Sequence, residues 1–297
     1  MSVLDGPRKE KRHILVGDAP HWVTVNDAGL LVLDDGRELS ETNVVHLPPC
    51  VPTKIICPHL TYKSRGIESR NNPQPTENPT YFMKPITAMN NHGGEIVKPD
   101  DCKYLNYEGE FAAIIGKEAR NVTPEEAWDH IAGFSPALDM GLHDFRDTDS
   151  GSMLRVKGCD GFCPIGPGIV SGVDPREQSI RTFRNGLLVQ EAKIYEELIW
   201  GPDYMIADLS RHITLLPGDI ILTGTPCHSR SLDVGDTIEV EITKIGKLTA
   251  SIVSGAAPRS RIGHPPSDSA EARRVALGND ERVPNQLKVN YRKAKIN

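Results

Sequence analysis

Short apolar, β-branched runs bounded by Gly, Pro and Asp dominate the chain between residues 54 and 255, a pattern typical of β-strands. The clearest of these runs are KIIC (54–57), FAAIIG (111–116), CPIGPGIV (163–170), DIILTGT (219–225) and DTIEVEIT (236–243). The pattern therefore predicts a mainly β protein of the α+β class.

Two segments in this region predict helices instead. TPEEAWDHIAGF (123–134) offers Thr123 as N-cap, Pro124 at the first helical position and Glu126 for a capping box. DYMIADLSRHI (203–213) has apolar residues three and four apart, as one face of a helix requires.

The two ends of the chain differ from this central body, residues 54–255. Residues 1–50 contain HWVTV and LLVL on either side of the turn NDAG, which predicts a small N-terminal β unit of hairpins. The prolines of LPPCVPT indicate a linker after it. Residues 256–297 carry nine Lys or Arg against four acids, which predicts a polar basic C-terminal tail that either wraps over a subunit or lacks fixed structure.

Composition narrows the class of function. The 297 residues carry a net charge of −6 and the central body has no sustained basic stripe, so we expect a small-molecule partner and no nucleic acid. We also expect no membrane and a cytoplasmic location, because no apolar run is long enough to span a bilayer and the first residues lack a signal peptide's apolar core. The six cysteines are scattered, which favours reduced thiols and argues against zinc.

An acidic pair stands at the start of a core strand in YLNYEGEFAAIIGK (104–117). Residues two apart in a strand share a face, so Glu108 and Glu110 lie side by side. If this is more than a solvated strand end, either a divalent cation neutralises the pair or one acid takes up a proton. Asp139 follows an apolar approach and is the candidate third ligand. Three carboxylates favour Mg²⁺ or Mn²⁺ and leave roughly three of six coordination positions open.

The order of these motifs resembles the fumarylacetoacetate hydrolase superfamily. E-x-E is followed by Asp139, then by Lys157 ahead of DGFCPIGP, RNGLLVQ (184–190), LLPGDIILTGTP (215–226) and VGDTIEVEITKIGKLTASIV (234–253). HLTYKSR (59–65) with LRVKG (154–158) is most similar to the decarboxylase/isomerase type of homoprotocatechuate breakdown. The resemblance implies a mixed β-sandwich roll, a homodimer, Mg²⁺ or Mn²⁺ on the two Glu and the Asp, and 2-oxo or 2-hydroxydienoic acid substrates.

One position departs from the pattern of the hydrolytic members, N-Y-x-x-H-x-x-E, whose His and Glu activate water. The chain has TYKSRGIE (61–68), so Arg65 stands in the histidine position, and guanidinium is no base near neutral pH. We expect Arg65 to bind a substrate carboxylate at two points and Glu68 to act as an acid or base. Lys157, buried near a cation, is expected to have a lowered pKa and to move a proton or hold an enolate.

The resemblance also implies substrate-binding roles for four residues that match the family: Tyr62, Lys84, Gln190 and Thr225. We expect three residues of the polar cluster after Asp139 to bind substrate as well: Arg155, and His143 and Arg146, which replace the usual Arg and Gln and should alter the choice of substrate. The leading hypothesis is a metal-dependent decarboxylase or isomerase of 2-oxo or 2-hydroxydienoic di- or tricarboxylic acids, in aromatic-compound catabolism. The alternatives are a hydrolase that cleaves the C–C bond of an acylpyruvate and a non-catalytic member of the family. The clustered acids weigh against the last, because a site without turnover has no need of them.

Overall fold

The computed structural model describes residues 2–149, 151–260 and 262–278. Its strands are β1 Lys9–Val16, β2 Ala19–Val25, β3 Leu31–Val32, β4 Glu38–Leu39, β5 Val45–Leu47, β6 Ile55–Pro58, β7 Tyr81–Lys84, β8 Met89–Asn90, β9 Glu95–Pro99, β10 Leu105–Asn106, β11 Gly109–Ile115, β12 Ile131–Leu138, β13 Gly141–Leu142, β14 Cys163–Pro164, β15 Gly168–Ser171, β16 Ser179–Arg184, β17 Leu187–Lys193, β18 Ile220–Leu222, β19 Ser231–Leu232, β20 Thr237–Ile242 and β21 Gly246–Gly255. Its α-helices are α1 Lys63–Arg70, α2 Pro124–Ala127, α3 Arg146–Asp149, α4 Leu154–Lys157, α5 Ile194–Glu197, α6 Pro202–Ser210 and α7 Ala270–Leu277.

Most strands belong to two sheets. The larger sheet runs in the order β4-β3-β2-β1-β15-β12-β11-β18-β6-β7, with β5 also paired to β1, and the smaller in the order β17-β16-β20-β21-β9. Both are mixed, because β18 pairs with β6 and β21 with β9 in parallel while most other pairs are antiparallel. The mainly β expectation is confirmed.

Strand β11 lies at the centre of the fold, and all seven of its residues are buried. Phe111, Ala113 and Ile115 face the core that the two sheets enclose, where they join residues of β16, β20 and β21. Ala112 and Ile114 face a second apolar cluster on the opposite side of the larger sheet. Glu110 has the same parity as this second pair, so the acids point away from the inter-sheet core.

Gly109 begins β11 at a point where the two sheets are in close contact. A Cβ atom on Gly109 would lie 2.1 Å from Oγ1 of Thr182 on β16. The backbone N–H of Gly109 donates to Oε1 of the buried Gln190 on β17 at 3.2 Å. The absence of a side chain here lets the second sheet support the strand that carries the acids.

The helix predictions are confirmed in part. Thr123 caps α2, and its hydroxyl and the Glu126 carboxylate form the predicted capping box. The helix ends at Ala127, however, and residues 131–134 lie in β12, so the prediction of a helix as far as Phe134 is wrong. Pairing of β12 with β11 overrides the local helix signal. Helix α6 confirms the prediction made for residues 203–213.

The N-terminal strands continue the larger sheet, because β1 pairs with β15. At the other end, α7 packs against the body, and the rest of the basic tail, residues 279–297, lies outside the described residues. The three-part division at 1–50, 54–255 and 256–297 stays a prediction. All six cysteines are free thiols, as expected. Among the described helices, none has both the length and the hydropathy that a bilayer crossing requires.

Replacement of Gly109 by Ala is expected to destabilise the fold by about 1–3 kcal/mol, because the new methyl group overlaps Thr182 in a packed interface. Thermal and urea unfolding measure the effect. The matched control is Gly151→Ala, since a Cβ there meets no atom within 4 Å. Equal stability of the two variants would contradict this account of Gly109.

Candidate metal centre and active site

Three acids come together where β11 and β12 meet. The backbone N–H of Asp139, just after β12, donates to the carbonyl of Glu108, just before β11, at 2.9 Å. Glu110 follows two residues on, so all three carboxylates share one side of the sheet. One oxygen of each lies within 4.8 Å of the others. The structure thus brings together the three predicted metal ligands.

Two lysines compensate part of this negative charge. Lys157, at the end of α4, places Nζ 2.6 Å from Oε2 of Glu108 and 2.8 Å from Oδ2 of Asp139. Lys84, at the end of β7, donates to Oδ1 of Asp139. Burial alone would raise the pKa of Asp139, but these two ammonium groups outweigh burial and lower it.

Glu110 lacks such a counter-ion among the described residues. Its Oε2 accepts a hydrogen bond of 2.7 Å from the backbone N–H of Gly224. Burial raises its pKa well above the ordinary value, and the charges of Asp139 and Glu108 raise it further. A buried carboxylate under repulsion from two others, all with oxygens within reach of one point, fits a site for a hard divalent cation such as Mg²⁺ or Mn²⁺.

The expectation of a lowered pKa for Lys157 is wrong. Burial does act in that direction, but Asp139 and Glu108 both contact the ammonium group and raise its pKa above the ordinary value. The expected lowering of the pKa rested on burial and a neighbouring cation, whereas in the structure the carboxylates of Glu108 and Asp139 contact the Lys157 ammonium group.

Arg65 joins helix α1 to the acids. Its Nη1 donates to Oε2 of Glu68 at 2.6 Å, and its Nη2 donates to Oε1 of Glu108 at 3.1 Å. Burial opposes the charge of Arg65, but Glu68 and Glu108 outweigh it and raise the pKa of the guanidinium. Arg65 is therefore a permanent cation beside the candidate metal ligands.

Glu68 is held on its other side by Arg230, 2.6 Å away, and by the backbone N–H of His228. Burial raises the pKa of Glu68, but Arg65 and Arg230 outweigh burial and lower it. Glu68 does not line the cavity described next. A carboxylate fixed between two guanidinium groups is a poor proton carrier, so this geometry does not favour the acid or base role predicted for it.

The acids open into a cavity of about 320 Å³. Of the residues predicted to bind substrate, His143, Arg146 and Thr225 line this cavity, as do Arg65 and Lys157. His143 is 1 % exposed and neither ring nitrogen has a hydrogen-bond partner in the described part of the chain. Burial lowers the pKa of His143 well below the ordinary value, and Arg146 lowers it further, so the imidazole is neutral.

The other predicted substrate-binding residues lie behind or away from the cavity wall. Lys84 contacts Asp139, and Tyr62 is fully buried in the main core. Gln190 donates through Nε2 to Oγ1 of Thr225 at 3.0 Å and thus orients a residue of the wall. The Arg155 side chain is 58 % exposed, pairs with Asp149 and does not line the cavity.

Among the residues in or beside the cavity that sequence reasoning missed are Arg70, Val275 and Glu271. Arg70, at the end of α1, lines the cavity and has no ion-pair partner in the part of the chain that the structure describes. Val275 of α7 also lines the cavity, and Glu271 of the same helix lies 3.3 Å from Nε of Arg146. No local pattern distinguishes these positions, because α7 reaches the cavity only through the tertiary fold.

A second group of ligand-type residues, Glu41, His46 and His92, also has donor atoms within 4.8 Å of one another. Glu41 and His92 already use one ligand atom each in hydrogen bonds, and the cluster contains one carboxylate where the other group contains three. Arg12 donates to Oε1 of Glu41 at 2.5 Å, and Nδ1 of His92 accepts from the backbone N–H of Thr249 at 3.3 Å. We therefore place the metal centre at the three acids.

The match to known proteins decides the family. The model for the fumarylacetoacetate (FAA) hydrolase C-terminal family matches residues 54–253, which contain all three acids. The chain belongs to the fumarylacetoacetate hydrolase family. Its members include isomerase/decarboxylases and hydrolases, so this family membership identifies a group of enzymes and not one reaction.

Three relatives illustrate the range of this family. The homoprotocatechuate catabolism bifunctional isomerase/decarboxylase of Escherichia coli is 38% identical over 184 residues, 61% of this chain and 42% of that protein. The mitochondrial oxaloacetate tautomerase fahd2 of Xenopus laevis is 33% identical over 72% of this chain and 70% of its own. The crystal structure of 5-carboxymethyl-2-hydroxymuconate delta-isomerase from Mycobacterium smegmatis is similar with a TM-score of 0.75 and 30% identity, covering 83% of this chain and 99% of that one.

Glu108→Ala and Asp139→Ala are each expected to weaken Mn²⁺ binding by roughly 100-fold or more. Loss of a residue that merely hydrogen-bonds to a metal ligand already lowers metal affinity by about 10- to 100-fold, and these variants remove a ligand itself. Isothermal titration and the Mn²⁺ electron paramagnetic resonance signal measure the loss. Glu118→Gln, at an exposed acid away from the cavity, is the matched control. Unchanged Mn²⁺ affinity in the folded Glu108 and Asp139 variants would exclude this metal centre.

Proposed function

We propose that the protein is a Mg²⁺- or Mn²⁺-dependent isomerase or decarboxylase of 2-oxo or 2-hydroxydienoic di- or tricarboxylic acids, a cytoplasmic homodimer in aromatic-compound catabolism. The observation that carries the proposal is Lys157, an ammonium group on the cavity wall in contact with two of the three clustered acids. A divalent ion at the acids would compensate the carboxylate charges that raise the pKa of Lys157, and would thereby make this fixed ammonium group a better proton donor to a substrate carbon.

The cavity offers each part of such a substrate a partner. A divalent ion held by Glu108, Glu110 and Asp139 would supply a Lewis acid for the substrate's 2-oxo and carboxylate oxygens. The Arg65 guanidinium, although its Nη1 and Nη2 donate to Glu68 and Glu108, adds a positive charge beside the acids that attracts that carboxylate. Because Oγ1 of Thr225 accepts its hydrogen bond from Gln190, its own hydroxyl proton is directed to another acceptor, which supports a role in binding substrate.

One proton movement serves both proposed reactions. In tautomerisation of a 2-hydroxydienoate, Lys157 donates a proton to a carbon, and the enol O–H proton replaces the proton that Lys157 gave. In decarboxylation, the C–C bond to the leaving carboxylate breaks, its electron pair stays on the substrate as an enolate, and CO₂ departs. Lys157 then protonates the enolate carbon and is reprotonated from water.

Glu68 takes a positioning role in this scheme. It fixes Arg65 at 2.6 Å while Arg230 fixes Glu68 from the other side. Hydrolytic relatives carry a water-activating histidine at the position of Arg65. In this chain the position holds a cation whose N–H groups already donate to Glu68 and Glu108. This favours reactions that need no attacking water.

The names of the three relatives agree in one respect. Isomerisation, tautomerisation and decarboxylation each proceed through an enol or enolate next to a 2-oxo group. The match to the Escherichia coli relative spans 42% of that protein, so its pair of activities enters here only as support for a reaction class.

C–C hydrolysis of an acylpyruvate is the second candidate, because one observation favours it. The neutral imidazole of His143 lies on the cavity wall with both nitrogens free of hydrogen bonds within the described residues, so one of them is available to accept a hydrogen bond from an attacking water. Incorporation of ¹⁸O from labelled water into a product carboxylate identifies hydrolysis, whereas isomerisation leaves the products unlabelled. A non-catalytic role is the weakest alternative, since it leaves the three acids and Lys157 without a purpose.

A screen of 2-oxo and 2-hydroxydienoic acids, followed by ultraviolet absorbance with Mg²⁺ or Mn²⁺ present, tests the proposed reaction. Lys157→Met is expected to lower kcat by about 100- to 10,000-fold, as loss of a general acid does, while the substrate still binds. Chelation of the metal should abolish turnover in the unaltered protein. Full turnover of Lys157→Met would overturn the role of Lys157. The proposed homodimer has a separate test, which is light scattering after gel filtration.

Arg70→Ala is expected to raise KM roughly tenfold or more for a dicarboxylic substrate, because a hydrogen bond to a charged group contributes about 1.5–3 kcal/mol. For a 2-oxo monocarboxylic acid, the same variant should leave KM unchanged. Arg37→Ala, which removes an exposed arginine from the N-terminal unit, is the control. An equal effect of Arg70→Ala on both substrates would show that Arg70 does not bind the distal carboxylate.

A further inference from the structure

Helix α7 forms part of the cavity wall although it lies outside the stretch 54–253 that matches the family. Ser269 caps its first turn, and its hydroxyl accepts from the backbone N–H of Ala272 at 3.0 Å. Ala272 and Ala276 are buried against Tyr104, and the Asn106 side chain donates to the carbonyl of Ala276. These contacts fix α7 on the body, so its cavity-facing residues have defined positions.

Glu271 brings a negative charge to this wall. Its Oε1 accepts from Nε of Arg146 at 3.3 Å and from Nη2 of Arg274 at 2.7 Å. The hydrogen bond from Arg274 is the largest cause of a lowered pKa at Glu271. Burial opposes it, Arg146 adds to it, and the resulting pKa of about 2 leaves the carboxylate ionised at neutral pH. The Arg274 guanidinium also donates to the carbonyl of Ser69 on α1, next to Arg70.

The guanidinium groups that line the cavity therefore differ in availability. Arg65 is committed to Glu68 and Glu108. The Arg146 side chain is 23 % exposed, and its Nε contacts Glu271, a carboxylate that it shares with Arg274. Arg70 has no ion-pair partner among the described residues. Within the described residues, the cavity wall beyond the acids thus contains Arg70, which has no ion-pair partner, and Arg146, which contacts Glu271.

We propose that Glu271 is a specificity-determining residue that masks Arg146, so that the cavity accepts substrates with one carboxylate beyond the 2-oxo acid end and discriminates against those with two. A second distal carboxylate would have to displace Glu271 from Arg146 and would meet its repulsion. This inference rests on the proposed function and narrows its substrate class from di- or tricarboxylic acids to dicarboxylic acids.

Equilibrium binding of two unreactive probes tests the proposal without turnover. Glutarate represents the dicarboxylic class and propane-1,2,3-tricarboxylate the tricarboxylic class, each titrated calorimetrically into the full-length protein with Mg²⁺. The unaltered protein is expected to bind glutarate at least roughly tenfold more tightly. Glu271→Gln should bring the two affinities together by roughly tenfold, whereas the exposed Glu118→Gln should leave their ratio unchanged.

A double variant separates unmasking of Arg146 from simple loosening of α7. If Glu271→Gln acts by freeing Arg146, its gain for the tricarboxylate disappears in Arg146→Ala/Glu271→Gln. If the gain persists there, α7 has merely opened the cavity and the proposal is overturned. An unchanged ratio in folded Glu271→Gln, or no preference in the unaltered protein, overturns it as well. Absence of turnover with every dicarboxylic acid, with the binding preference intact, would count against the proposed reaction and not against Glu271.

Discussion

Three carboxylates with oxygens within 4.8 Å of one another, those of Glu110 and Asp139 buried and that of Glu108 partly exposed, are the constraint on which the rest of this structure depends. Two unit charges about 4 Å apart repel by about 4 kcal/mol at an effective dielectric constant near 20, and removal from water adds a further cost. The described residues offset part of this with Lys84, Lys157 and Arg65, which contact Asp139 and Glu108. Within the described residues, Glu110 has no ion-pair partner and accepts a hydrogen bond from the N–H of Gly224, and this asymmetry is the strongest structural argument for a divalent ion.

The fold keeps the acids in place because they sit on its most constrained strand. Strand β11 has neighbours on both sides within the larger sheet and apolar clusters on both faces. Gly109 lets β16 approach, and Gly224, at φ +90°, lets the chain pass so close to Thr61 that a Cβ would lie 1.9 Å from its hydroxyl. Gly109 thus lets the second sheet pack against the start of β11, and Gly224 lets its backbone N–H reach Glu110.

The sequence predicts what depends on neighbours along the chain, and it misses what depends on neighbours in space. The capping box at Thr123 and the shared face of Glu108 and Glu110 follow from spacings of two or three residues. The end of α2 does not, because residues 131–134 are drawn into β12 by pairing with β11. Likewise, the raised pKa of Lys157 depends on acids 18 and 49 positions away in the chain, and no local pattern links Glu271 to Arg146, 125 positions apart. Family resemblance identified the acids as a set because the motif order carries information that spacing alone does not.

Arg65, at the position where the resemblance leads us to expect a histidine in hydrolytic members, also has a structural role. Arg65 ties α1 to Glu108, while Glu68 one turn later is tied to Arg230 and to the backbone at His228. Arg274 of α7 holds the carbonyl of Ser69 near the end of the same helix. Helix α1 is thus held in place by contacts of Arg65 with Glu108 and of Ser69 with Arg274 of α7, and these contacts exist before any substrate binds. A wall fixed in this way holds a permanent cation, and not a base, beside Glu108, which supports the proposed reactions that need no attacking water.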